Sequence, residues 1–264
     1  MYPEIKPVPI WQCKNSYAGA TRSNAVIERT FIIFPGIGSR KERNLWSKGI
    51  LDWDDLSAVS RYCRLLPFIE EAKRRLSSSD ASYFSSLLRN AERWRLLEDF
   101  MDLAAFIDIE VENDGNRLKP VVAGILRNRL FTQLYGENLS RREMRRAIDG
   151  AAMIVTFNGS AHDLRIIRDM LGNDIPPSVD LRAIAMKLGV REGLKQIEYQ
   201  RGIKRKWDVV LSAMGHTSHL WHLYRKGNRR ALDLLLEYNR EDTINMYPLA
   251  VQLNEEMKRR YAVE

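Results

Sequence analysis

Cysteine is nearly absent from this 264-residue sequence: Cys13 and Cys63 lie in different segments with no C-x-x-C spacing. Neither a disulfide framework nor a thiolate zinc site is indicated. Long apolar runs are missing as well. No stretch approaches the ~18 apolar residues of a membrane span, and Met1 to Pro9 lacks the apolar core of a secretion signal. The expectation is a soluble cytoplasmic protein with no membrane partner. Histidine is scarce too. His216, His219 and His222 form a loose series with no Cys or fourth close ligand beside them, so helix surface or phosphate contact is a better reading than zinc.

What is present is ordinary globular material, 45% hydrophobic and 29% charged, enough for one large domain or one domain with a smaller module. The formal net charge is +8, with basic clusters at 141–146, Lys204-Arg205-Lys206 and 225–230. Such an excess suits a polyanion, because each neutralised phosphate releases condensed counterions.

The organising stretch is Ala104-Ala105-Phe106-Ile107-Asp108-Ile109-Glu110. An apolar run bounded by the turn signal Asp114-Gly115 reads as a buried strand, in which residues i and i+2 share a face. Asp108 and Glu110 then point the same way. Two carboxylates side by side at the end of a core strand repel each other and are costly to desolvate, and a hard divalent cation resolves the conflict. Further Asp or Glu should therefore reach the same spot.

Residues 1 to about 25, with Pro3, Pro7 and Pro9, read as an extended lead-in. Pro35-Gly36-Ile37-Gly38-Ser39 then opens a helix, and its unpaired N–H groups suit a phosphate. This segment resembles the helix-hairpin-helix element of DNA-binding proteins, with Gly36 and Gly38 as substrate-binding candidates. From Trp53 to about Phe100 the pattern is helical, with Asp80 placed to cap a helix and with Trp46 and Trp94 as core residues. We therefore divide the chain into a helical module at 1–100 and a second domain at 101–264.

In the second domain, strands at 121–126 and 130–135, joined by a tight turn at Arg127-Asn128-Arg129, complete a meander with the first. A helix at 140–149 capped by Ser140, a strand at 153–157, a helix at 163–171, a short strand near Val179-Asp180-Leu181 and further helices follow. The fourth strand should pair parallel to the first, placing Asp163 beside the end of the Asp108 strand. Tyr238 and Asp242 are four apart and share one helix face that looks inward.

D-x-E at 108 and 110, F-N-G-x-x-x-D at 157–163 and Y-N-x-x-D at 238–242 are similar, in order and approximate spacing, to the motifs of the DEDDy branch of ribonuclease H-like 3′-5′ exonucleases. The YprB-type group resembles this chain further, with a basic helix before the last motif, here at 219–227. The resemblance implies a ribonuclease H-like α/β fold, a mixed five-stranded sheet flanked by helices. It also implies two divalent cations, Mg²⁺ or Mn²⁺, and two-metal phosphodiester hydrolysis of DNA or RNA. Carried over, Asp108 bridges both ions, Glu110 and Asp242 complete the first, Asp163 holds the second, and Tyr238 orients the attacking water. Asn158 contacts the substrate backbone. Val111 to Gly115 replace the Thr and Gly-Leu pair common after D-x-E, and His162 replaces a common Phe, so the grip on a 3′ end differs here. The alternatives are a non-catalytic nucleic-acid-binding protein that keeps the fold, or a structure-selective endonuclease.

Overall fold

The computed structural model describes residues 8–9, 26–113, 115, 118–159, 163–206 and 217–261. Most of the lead-in, and His162 and His216, lie outside these residues.

The described chain begins with the two-residue strand β1 (Val8–Pro9) and then a series of turns from Val26 to Ile37. Helices α1 (Ser39–Trp46), α2 (Trp53–Ala58), α3 (Leu66–Ser77), α4 (Ala81–Leu87) and α5 (Leu96–Phe100) follow. Then come β2 (Ala104–Asn113), β3 (Leu118–Arg127), β4 (Leu130–Tyr135), α6 (Arg141–Ile148), β5 (Met153–Thr156), α7 (Asp163–Leu171) and β6 (Ser178–Asp180). Helices α8 (Leu181–Lys187), α9 (Leu194–Gln200), α10 (Thr217–Arg225) and α11 (Arg229–Tyr261) complete it.

The sheet order is β1-β4-β3-β2-β5-β6. The meander β2-β3-β4 is antiparallel and β5 adds in parallel to β2, as the sequence leads one to expect, while β6 adds in parallel to β5. β1 adds a sixth, minimal strand on the β4 edge. Asn128 and Arg129 both have positive φ, so β3 and β4 are joined by the primed two-residue turn whose twist matches that of its strands. Caps follow the sequence as well. Asp80 accepts from the Tyr83 N–H at 3.0 Å and Ser140 from that of Glu143 at 3.3 Å.

Alternation along β2 sorts the layers. Ala105, Ile107 and Ile109 face a core closed by Met144 and Ile148 of α6 and Leu164 and Ile167 of α7. Ala104 and Phe106 face the opposite core, which α8, α11 and the helices before residue 100 close together. Trp46 and Trp94 are buried in it. On that second face the strand changes from apolar to acidic as it leaves the core, at Asp108 and Glu110.

The expected helix-hairpin-helix needs a correction. The segment before Gly36 is a chain of turns, so the hairpin lacks a helical first arm. Its backbone groups are satisfied from a distance instead. The Phe31 N–H donates to Glu42 at 2.7 Å and the Ile27 N–H to Asp99 at 3.0 Å, while Trp46 and Trp53 donate their ring N–H groups to the Arg29 and Thr30 carbonyls. Glu42 is itself held by the buried Arg95 at 2.8 Å.

Candidate active site

β2 runs past the end of β5, whose pairing stops at Phe106 opposite Val155. Beyond that point the β5 side of β2 has no strand partner among the described residues, and the Ile109 N–H donates instead to the carboxylate of Asp163, the first residue of α7. Gly159 makes the approach possible: a Cβ there would stand 2.8 Å from Asp163 Oδ2 and 2.5 Å from the Thr156 side chain. On the other side, α11 crosses above β2 and β3 and brings Asp242 down onto Asp108 and Glu110. Each of these three offers a carboxylate oxygen, all within 4.8 Å of one another. Asp163 stands beside the trio, close enough for its charge to act on Asp108 and Glu110. Tyr238 donates its hydroxyl to Asp242.

This assembly is electrostatically crowded. Burial pushes the Asp108 carboxyl well above the usual range, and the charges of Glu110, Asp242 and Asp163 push the same way. Burial carries Glu110 up to about 8, against a hydrogen bond from Thr217 at the start of α10. Burial raises Asp163 to about 7, with the nearby Asp180 adding to it and the Ile109 N–H opposing. Asp242 is raised by burial despite Arg205 and Lys195.

Those two cations are what sequence reasoning missed. Arg205, placed by sequence in a basic surface cluster, turns inward with its side chain only 4% exposed. Its Nη1 lies 2.5 Å from Asp242 Oδ1, and it also pairs with the buried Glu198 of α9. Lys195 sits 4.5 Å from the centre of the Tyr238 ring. The amide of Asn239 is likewise new to the site, donating to Asp108 Oδ2 at 2.9 Å.

The remaining candidates stand apart. Asn158 is exposed at the end of β5, its φ of +61° stabilised by an N–H bond to Asp180 at 2.8 Å. Gly36 and Gly38 lie at the start of α1, where Gly38, Arg40, Lys41, Arg43, Asn44 and Ser47 line an open groove of about 630 Å³ that contains none of the acidic cluster. His219 and His222 are exposed on α10, and among the described residues neither belongs to a group that could hold a metal.

Four carboxylates meet here with only Arg205 and Lys195 to offset them, and burial raises the proton affinity of each. Their pKa values are higher folded than unfolded, so the native state binds the extra protons, and stability falls as pH rises from about 4 toward about 8. The metal-free protein should melt on the order of 5 °C lower at pH 8 than at pH 5.5, with most of the loss restored by millimolar Mg²⁺ or Mn²⁺. Scanning calorimetry at both pH values tests this, and a midpoint that rises with pH would contradict it. Arg205→Met would strand Glu198 and Asp242 in the interior. The expected cost is about 3–5 kcal/mol at pH 8, and less at pH 5.5 where the acids take protons. Denaturant titration at the two pH values reads both numbers.

A family model for the RNase H superfamily matches residues 105–254, more than half of the chain and a span that includes Asp108, Glu110, Asp163, Tyr238 and Asp242. The fold and this match agree, and the chain belongs to the RNase H superfamily. No curated protein and no solved structure matches it.

Proposed function

We propose that this chain is a metal-dependent nuclease of the DEDDy type, related to the YprB-type group, and that it degrades DNA or RNA from the 3′ end. The observation that carries the proposal is the meeting of Asp108, Glu110 and Asp242 within 4.8 Å, with Asp163 beside them and the Tyr238 hydroxyl on Asp242.

The donor set suits divalent cations. It is all carboxylate oxygen, the preference of Mg²⁺ and Mn²⁺, and burial and mutual repulsion raise its proton affinity in a way that a bound cation would relieve. Asp108, Glu110 and Asp242 would hold one ion, with Asp108 and Asp163 holding a second. Bound there, such ions would supply an activated water and stabilisation of the leaving oxygen. The protein's own share is positional. Tyr238, its hydroxyl pushed up by burial and three nearby acids, stays protonated at neutral pH. It therefore serves to orient a water by hydrogen bonding and does not act as a base. Lys195, exposed and close enough for its charge to act on Glu110 and Asp242, would meet a substrate phosphate brought to the cluster. Asn158 and the basic groove at α1 supply further backbone contacts, the latter making residues 1–100 a module that holds nucleic acid.

One observation favours a second reading. Arg205 already neutralises Asp242, as it would in a protein that keeps the fold and binds nucleic acid without cutting it. Incubation of 3′-labelled and 5′-labelled single-stranded DNA and RNA with Mg²⁺ or Mn²⁺ decides between them. Immediate release of the 3′ label as mononucleotide supports the exonuclease. Cleavage of a closed circle supports an endonuclease, and binding with no cleavage of any substrate overturns the nuclease and supports the non-catalytic binding protein.

A further inference from the structure

Asp108, Gly124 and Gln133 form one row across the sheet, each paired with the next in register on β2, β3 and β4. The middle position carries no side chain, and α11 fills the space. A Cβ on Gly124 would lie 2.7 Å from Asn239 Oδ1 and 2.2 Å from Thr243 Oγ1. Asn239, fully buried, thus spans from one end of the row to the other. Its Oδ1 accepts from Gln133 Nε2 at 2.8 Å, and its Nδ2 donates to Asp108 Oδ2 at 2.9 Å and to the Asp108 carbonyl at 3.0 Å.

The direction of these bonds has a fixed origin. Gln133 Nε2 also donates to the Leu236 main-chain carbonyl at 2.8 Å, and a carbonyl can only accept. The Gln133 amide therefore has one orientation, which makes Asn239 Oδ1 its acceptor and turns the Asn239 NH₂ toward Asp108. A flipped Asn239 would set its oxygen against the Asp108 carboxylate and its NH₂ against that of Gln133. Thr243 secures the same turn of helix, its hydroxyl donating to the Asn239 carbonyl at 2.7 Å.

We propose that Gln133 and Asn239 are positioning residues for Asp108: the relay from the Leu236 carbonyl fixes Asp108 Oδ2 on the amide and leaves Oδ1 for the cation that Asp108 would hold with Glu110 and Asp242. The proposal rests on Asp108 being a metal ligand. Partners that orient ligands from behind commonly change metal affinity or activity by about 10–100-fold when lost. Gln133 touches Asn239 and not the carboxylates, so it can be altered without rebuilding the cluster.

The test is Gln133→Glu, assayed at pH 8 for Mn²⁺ affinity by electron paramagnetic resonance and for kcat and KM on a labelled oligonucleotide. This change keeps the size and reverses the polarity. The carboxylate at 133 repels the Asn239 oxygen and flips the amide, so the relay requires Mn²⁺ binding to weaken by about tenfold or more and kcat to fall similarly, with KM within about twofold. An added negative charge acting only through space would instead tighten Mn²⁺. Gln133→Met, which breaks the relay without reversing it, should fall between the two, and it carries the test if Gln133→Glu does not fold. Native-like or tighter Mn²⁺ binding and native kcat in a folded variant would overturn the relay while leaving the metal site in place. No Mn²⁺ binding by the unaltered chain would overturn the metal site and the relay together.

Discussion

Asp108→Asn should abolish metal-dependent cleavage, by about 10³-fold or more, while making the metal-free protein harder to melt at pH 8. Both halves come from one fact. Asp108 is the carboxylate that burial and the three neighbouring acids oppose together, so as a charge it is costly to the fold and as a ligand it is central. The asparagine keeps the shape and an oxygen for the Asn239 N–H but removes the charge. Above the unfolded carboxyl range, near pH 4, the native aspartate destabilises the folded state, so its removal raises the melting temperature at pH 8. At pH 5 the difference between the two proteins should narrow, because burial and the neighbouring acids favour the protonated aspartate in the native state as the pH falls. Labelled-oligonucleotide turnover and calorimetry at the two pH values provide the measurements. Retained cleavage would remove Asp108 from the site, and a lower melting temperature at pH 8 would show that the cluster is not crowded as described.

Gly124→Ala should be the most damaging small substitution in the sheet. Its Cβ would stand 2.2 Å from Thr243 Oγ1 and 2.7 Å from Asn239 Oδ1, closer than packed atoms allow. Neither neighbour can swing away freely, since Thr243 bonds to the Asn239 carbonyl and Asn239 bonds to Gln133 and Asp108. The helix must lift instead. Overpacking of this kind costs about 3 kcal/mol, and a displacement near 1 Å at Asp242 would slow cleavage about 100-fold. Pairing the change with Thr243→Ala removes the worst contact and should restore part of the stability. If Gly124→Ala alone melts like the native protein, the close passage of α11 over β3 is wrong.

Gly124 also shows how far the sequence could be read. A lone glycine inside an apolar strand is a sign of close approach that sequence reasoning did not use, and here the Thr243 and Asn239 side chains of α11 occupy the place of its missing Cβ. The acids were legible because their signals are local: period two along β2, a helix start at Asp163, and a four-residue step from Tyr238 to Asp242. The parallel pairing of β5 with β2 followed from connectivity. Arg205 was not legible, because Lys204-Arg205-Lys206 reads as a solvated charge run and its inward turn depends on Glu198 being buried beneath it. The turns at 26–37 were hidden for a related reason. Their hydrogen bonds come from Glu42, Trp46, Trp53 and Asp99, and no local pattern announces a partner up to 72 residues away.

The long α11 has a consequence for how the protein fails. Asn239 and Asp242 sit well inside this 33-residue helix, with Met246, Leu249, Leu253 and Met257 further along it locked into the core shared with the helices before residue 100. Helices fray from their ends, so the turn that carries the site should be among the last to open, even with Pro248 in the same helix. Its amide protons should exchange with deuterium only when the whole chain unfolds, and loss of activity on heating should coincide with loss of helical signal.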